Sequence, residues 1–443
     1  MKSNRYGIEI YSLDKREILY QTRKNQLYVP ASNQKLVTTA AALKYLGPDY
    51  RYPTRLFTTG NIKGDTLYGD LYIKGYGDPK LVSEQMWLLV NELKNIPIHK
   101  VVGNVIADSS YFDSLRRIKT WGRATGAQAY NAPLGALSFN FNTVSVYVTP
   151  GSRAGDKPEI VVEPDTQYVK IKNRSQTLPP KKRGRLILNR LDRGDYDEIS
   201  IKGGISRTSR RAHYFVSITD PTRYTLSVFK EYLARAGIEL IGETIEKGIV
   251  PKTARLLVDH ESEPLALALR GLNKFSNNLV AEQILKTLGA EEFGSPGTTE
   301  NGLRIISKYM RSLGFSQDQY RIVDGSGLSR QNRMTANQFV SVLEHVHDDL
   351  SIYPEFISAL GVMGLDGNVR KRMNSVKDSH KARVKTGTLN SVSALSGYFQ
   401  SRDGERFAFS ILMNGLQCKN KIALEIQDKI VHEGLTFERG GEG

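Results

Sequence analysis

Residues 27–47 read LYVPASNQKLVTTAAALKYLG, and the fold turns on this stretch. Pro30 and Ala31 lead into good helix formers from Gln34 to Leu46, which Gly47 and Pro48 stop, so a helix is predicted to begin close to Ser32. Residues i and i+3 share a helical face. Ser32 and Lys35 are therefore neighbours. A serine hydroxyl attacks a peptide carbonyl only when a base takes its proton and donors receive the developing oxyanion. Partial burial that depresses the Lys35 pKa turns its amine into such a base. The S-x-x-K string alone is weak, because Ser12/Lys15 and Ser227/Lys230 match it too. Ser12 falls in a predicted turn and Lys230 in an amphipathic surface helix, so neither pair is assigned chemistry.

Two further elements follow Ser32 in the order such chemistry requires. Ser276-Asn277-Asn278 precedes an apolar-periodic helix, where a hydroxyl and an amide alone read as an ordinary helix cap. Lys385-Thr386-Gly387-Thr388 opens an alternating strand, and Gly387 lets a substrate backbone lie close beside it. Each is common by itself. Together and in order they resemble S-x-x-K, S-D-N and K-T-G, the set of class A β-lactamases and penicillin-binding proteins, with Ser-Asn-Asn in the central place.

Outward from these motifs, YGIEIYSLDKREILYQT reads as a hairpin turning at Leu13 to Arg16. Strands with Gly and Asp punctuation then alternate with a helical stretch around Glu84 to Leu93. Residues 144–206 differ, with alternating strands, abundant turn residues and no convincing helix. Helical character returns with TRYTLSVFKEYLARAG, and from Pro264 the chain is helix-rich until a β-hairpin near its end.

The chain has 443 residues, 40% hydrophobic and 24% charged, enough for two or three domains with their own cores. Its one cysteine, Cys418, cannot form an intramolecular disulfide, and no Cys/His group has zinc-site spacing. His345 and His347 form only an H-x-H pair, read as a solvated helix face. The formal net charge is +16, with Lys and Arg crowded into 170–193, which implies attraction to a polyanion. No stretch reaches the roughly 18 apolar residues of a membrane span. The start, MKSNRYGIEIYSLDKREILY, lacks a signal peptide's apolar core yet already reads as strand, so a secretory leader removed ahead of it is expected.

The strings VPASNQKLVTTAAAL (29–43), FSNNLVAEQ (275–283), DGSGLSR (324–330) and VKTGTLNSVSALSGY (384–398) resemble the low-molecular-mass class C penicillin-binding proteins. These are the D-Ala-D-Ala carboxypeptidases of the penicillin-binding protein 4 type, peptidase family S13. The resemblance spans nearly the whole chain. It implies an α/β multi-domain fold: a penicillin-binding, serine β-lactamase-like transpeptidase domain, with an antiparallel sheet and helices on both sides, over 1–58 and 256–443. Two nested insertions would follow, an α/β domain over 59–143 and 207–255 and a smaller, mostly β domain over 144–206. The stretch between Ser32 and Ser276 has room for them.

By matching motif, Ser32 would be the acylated nucleophile and Lys35 its base, while Ser276 and Asn278 relay a proton and orient the substrate amide, with Asn277 beside them. Lys385, Thr386 and Thr388 would hold the terminal D-alanine carboxylate next to Gly387. The backbone N–H groups of Ser32 and Thr388 would form the oxyanion hole. Lys35 must then lose its proton and Lys385 keep it, so their pKa values are expected to be pushed apart. The resemblance implies no metal or organic cofactor. Expected partners are peptidoglycan stem peptides ending in D-Ala-D-Ala and β-lactams as covalent inhibitors, with an anionic cell wall as a possible third and no specific nucleic acid. The expected location is the periplasm or extracytoplasmic envelope.

Relatives that grip a diaminopimelate side chain resemble one another in an acid shortly after a Trp-rich turn, whereas 121–126, beginning at Trp121, offers none. Phe139-Asn140-Phe141-Asn142 also looks like the family, although asparagines there can serve buried backbone groups alone. A β-lactamase is the nearest enzyme alternative, and no Glu-x-x-Leu-Asn string of the class A type occurs. A catalytically silent wall- or nucleic-acid-binding protein is the other. Against it stand Ser32, Lys35, Ser276, Asn278 and Lys385, all intact.

Overall fold

The computed structural model describes residues 5–122, 126–245, 247–416 and 420–440, so Cys418 and positions 123–125 lie outside the described residues. The chain forms two compact units. The first comprises Met1–Tyr50, Ile118–Gly122 and Pro264–Gly443, the second Arg51–Arg117 and Arg123–Glu263.

In the first unit, strands Arg5–Ser12 and Glu17–Thr22 form the expected hairpin. Arg5–Ser12 also pairs with Arg406–Asn414, which pairs with Val392–Gln400, then Arg383–Leu389 and Gly361–Val362. The result is a six-stranded antiparallel sheet. Alternate residues of a strand point to opposite faces, and each face has its own cover. Leu395 and Phe399 join Phe407, Phe409, Val431 and Leu435 in a core beneath the Asn420–Thr436 helix. Ser396 and Tyr398 face the other way, where the Tyr398 hydroxyl donates to Leu343 O of the Ala336–Asp348 helix. Ser12 ends its strand buried, its Oγ donating to Glu405.

The expected helix at Ser32 is present as Gln34–Tyr45, and its residues 34–43 are all buried. A helix without a polar face lies inside the core. Small residues from Thr38 to Ala42 permit close neighbours, and the helices Leu265–Phe275, Asn278–Phe293 and Ala336–Asp348 pack around it. Thr38 donates to Gly325 O at 2.7 Å, and Thr39 accepts from Asn273 at 2.9 Å, so even its hydroxyls are used.

The second unit holds a five-stranded and a four-stranded mixed sheet, and two three-stranded sheets. One three-stranded sheet joins Thr143–Thr149 to Glu159–Glu163 and Ala212–Ser217; the other joins Asp197–Ser206 to Val169–Leu178, in parallel, and to Leu186–Asp192. Described residues of 144–206 include no helix, as the alternation there implies. Val144, Val146, Ile199 and Ile201 lie in one apolar cluster with Leu71, Leu89 and Phe229. Asn142 satisfies its surroundings, donating to Pro133 O at 2.7 Å and Ser138 Oγ at 2.9 Å while accepting from Phe139 N at 3.3 Å.

One detail differs from expectation: His345 and His347 are half-buried rather than solvated, stacked edge-on against Tyr309 and Tyr353. No helix among the described residues is long and apolar enough to cross a membrane.

Candidate active site

The three motifs converge in the first unit. Ala31, immediately before Ser32, has φ 48°, a left-handed conformation that costs a non-glycine residue about 1–3 kcal/mol. The strained turn leaves Ser32 half-buried while Asn33 and Lys35 are buried. The Asn33 amide donates to Ser396 Oγ at 2.6 Å, which ties the turn to the sheet.

Lys35 Nζ donates to Ser32 Oγ at 3.0 Å, Asn278 Oδ1 at 2.7 Å and Ser326 O at 2.6 Å. Burial pushes its ammonium down from 10.5 to about 7, against the opposing charges of Asp324 and Glu282. An ammonium held by three acceptors and still weakened in this way can exchange a proton near neutral pH.

Ser276 caps the Leu265–Phe275 helix in a left-handed conformation, with φ 59°. Asn277 caps the next helix, Asn278–Phe293, by accepting from Val280 N at 3.2 Å. The segment is thus a helix cap, as its sequence alone suggests, and also part of the cluster. Ser276 Oγ accepts from Lys385 Nζ at 3.0 Å, and Thr386 O accepts from the same ammonium at 2.7 Å.

The strand register pairs Lys385 with Ser396 and Gly387 with Ala394, which puts both on the face toward the Ser32 turn. Gly387 does more there than admit a ligand: a Cβ on it would stand 2.7 Å from Pro30 O and 3.0 Å from Ser32 N. Only glycine lets the strand approach the nucleophile's backbone so closely. Thr386 and Thr388 alternate to the other face, so any reach of their hydroxyls toward the Lys385 side passes over the strand edge. Gly361–Val362 pairs only with Val384 and Arg383, and from Lys385 onward this edge has no partner strand among the described residues.

The two lysines do not diverge as expected. Lys385 is also pushed well below the ordinary lysine range, first by burial and then by the charge of Lys35. Desolvation penalises any buried cation whatever its task.

Sequence reasoning missed the acids beneath the cluster. Glu282 is fully buried, accepting from Ser326 N at 2.8 Å and Gly325 N at 3.1 Å. Burial and the neighbouring Asp324 push its carboxyl up to about 8. Asp324 accepts from Gly327 N and Asn332 Nδ2 at 2.8 Å, from Ser329 N at 2.7 Å and from Trp121 Nε1 at 2.9 Å. Together the acids fix the 324–329 loop, whose Ser326 O holds Lys35. Glu282 follows Asn278 by one helical turn within the apolar run LVAEQIL, a signal that could have found it.

An antiparallel sheet between helices, with a serine, two buried lysines and a Ser-x-Asn segment assembled beside one strand edge, defines a serine acyl-transfer hydrolase of the penicillin-binding fold. The model of the D-Ala-D-Ala carboxypeptidase 3 (S13) family matches residues 1–433, and the chain belongs to that family. It is a serine-type D-Ala-D-Ala carboxypeptidase. A D-alanyl-D-alanine carboxypeptidase of an Actinomadura species (strain R39) is 30% identical over 457 residues, covering 98% of this chain and 84% of the relative. The crystal structure of penicillin binding protein 4 from Haemophilus influenzae superposes with a TM-score of 0.84 at 22% identity, covering 99% of this chain and 98% of that one. Its complex with a β-lactam gives a TM-score of 0.80 at 22% identity, covering 98% of this chain and 97% of that one.

Proposed function

We propose that this carboxypeptidase cleaves peptidoglycan stem peptides through an acyl-enzyme on Ser32. The observation that carries the reading is the 3.0 Å approach of a buried, weakened Lys35 amine to the Ser32 hydroxyl. Neutral Lys35 takes the Oγ proton as oxygen attacks the carbonyl between the two D-alanines, and the N–H groups of Ser32 and Thr388 receive the oxyanion. The tetrahedral intermediate collapses, the C–N bond breaks, and the Lys35 proton reaches the departing amine by way of the Ser276 hydroxyl, with Asn278 Oδ1 holding the Lys35 amine in place. Water then adds to the ester carbonyl, loses its proton to Lys35, and frees Ser32. Lys385, with Thr386 and Thr388 across the strand edge, holds the terminal carboxylate, and Asn277 and Asn278 orient the substrate amide.

The same steps on a cross-linked peptide give DD-endopeptidase activity. The unpaired edge from Lys385 onward suits an extended peptide lying along it. A β-lactam presents a strained amide to the same hydroxyl; the Haemophilus complex supports this by likeness of fold. Such a substrate places the enzyme's work in the periplasm or the extracytoplasmic envelope. The domain boundaries at 58/59, 143/144, 206/207 and 255/256 belong to the same reading. Intact-mass measurement after incubation with a penicillin tests it: one adduct is expected, on the peptide containing Ser32. A label on Ser276 or Ser326, or no label on the folded protein, overturns the assignment.

A further inference from the structure

The second unit carries a groove of about 810 Å³ where the loop before Leu186 meets the segment after Gly204. Lys181, Lys182, Arg183, Arg185 and Arg210 line it, and no acidic residue does. All five are exposed, and among the described residues none is in an ion pair. Other cations of the unit do face acids: Lys172 and Arg193 face Glu198, and Arg223 faces Asp195. Five like charges around one concavity repel each other and focus a positive potential into it.

The concavity is built, not a chance meeting of side chains. Lys181 adopts φ 61°, and its N–H donates to Thr208 Oγ1 at 3.3 Å. Gly204 N donates to Arg185 O at 3.2 Å and Arg207 N to Leu178 O at 3.0 Å, which fastens the loop to the opposite wall. Ser206, Thr208 and Ser209 add hydroxyl groups to the same lining. Guanidinium, ammonium and hydroxyl donors without an acid suit phosphate oxygens.

We infer that this groove binds a linear polyol- or glycan-phosphate polymer, a phosphodiester polyanion without bases. Nucleic acid shares the phosphodiester but gains affinity by stacking on aromatic faces. The groove's single aromatic is Tyr214, and nearby Tyr147 is already covered by Arg211 at 3.9 Å and by His213 at 4.4 Å. That a wall polymer is the natural ligand rests on the DD-peptidase reading, because such an enzyme works where anionic wall polymers surround its peptide substrate. Binding would hold the enzyme on the wall between turnovers.

The test measures binding of the full chain to a synthetic glycerol-phosphate oligomer and to oligo-dT of equal phosphate number, across a salt series. One variant replaces Lys181, Lys182, Arg183 and Arg185 by Gln; a control of equal charge replaces the exposed Lys63, Lys94, Arg311 and Lys429 by Gln. Contacts to phosphate weaken as salt rises. The groove variant should lose about tenfold or more in oligomer affinity at low salt and show a shallower salt dependence, with the control within about threefold of the parent. Equal losses in both variants, no oligomer binding by the parent, or tighter groove-dependent binding of oligo-dT overturns the inference. Penicillin labelling of the same samples separates the two readings. A labelled parent that ignores the oligomer sinks the groove alone, and an unlabelled parent that binds it sinks the DD-peptidase mechanism alone.

Discussion

If neutral Lys35 accepts the Ser32 proton, acylation must titrate with Lys35. An ordinary lysine near 10.5 is almost entirely cationic at pH 7, whereas burial brings Lys35 to about 7. The difference disfavours its ammonium by about 5 kcal/mol, at about 1.4 kcal/mol per unit, and raises the neutral fraction at pH 7 by about a thousandfold. Stopped-flow acylation by a chromogenic penicillin, followed from pH 5 to 9 with mass analysis of the adduct, reads this directly. The second-order rate constant should climb about tenfold per pH unit below 7 and flatten above it. Lys35→Arg should abolish acylation with the fold intact, because a guanidinium keeps its proton throughout this range. A rate that climbs at the same slope to pH 9, or that is flat from pH 5, refutes Lys35 as the acceptor.

Two further perturbations separate roles in the site. Lys385→Ala should lower kcat/KM about 10- to 100-fold on peptides with a free terminal carboxylate, the scale of a lost charged hydrogen bond, and far less on amidated peptides; equal losses on both remove the carboxylate-reading role. Glu282→Gln offers one oxygen where two backbone N–H groups now donate, so it should slow acylation about tenfold through the loosened Ser326 loop. With its carboxyl near 8, Glu282 is mostly protonated where Lys35 titrates, so the midpoint of the rise of acylation with pH should stay in place; a midpoint moved to lower pH would make Glu282 a charged partner of Lys35 instead of a structural support.

What was legible in the sequence is what local periodicity and chain order encode. The Ser32–Lys35 face follows from helical spacing, the strand at Lys385 from alternation, and the all-β character of 144–206 from its turns. Asn277 could be read as a cap because capping is local. Glu282 left one local signal, a charge one turn after Asn278 inside an apolar run, but its role and that of Asp324 arise only when the loop at 324–329 folds back onto the Asn278–Phe293 helix. The meaning of Gly387 was half legible: glycine in a strand signals a close approach, but the approaching backbone is that of Pro30 and Ser32, far away in sequence. Burial was the hardest property to read. It is set by every neighbour at once, and it half-covers His345 and His347 and lowers Lys385 together with Lys35.

The joint depression of the two lysines bears on the order of events. Each charge is costly where it lies, and the charge of Lys35 adds to the cost at Lys385. A substrate carboxylate beside Lys385 would supply an opposing charge and so favour the proton there. A cation retained at Lys385 in turn disfavours a second one at Lys35, which is then readier to be neutral when the carbonyl is in place. The Ser276–Asn278 segment connects these effects, since Ser276 Oγ accepts from Lys385 and Asn278 Oδ1 from Lys35. The left-handed turn at Ser276 lets residues two apart address different lysines. In the proposed mechanism, carboxylate capture therefore does more than position the peptide: it fixes the single positive charge on Lys385 and frees Lys35 to act as the base.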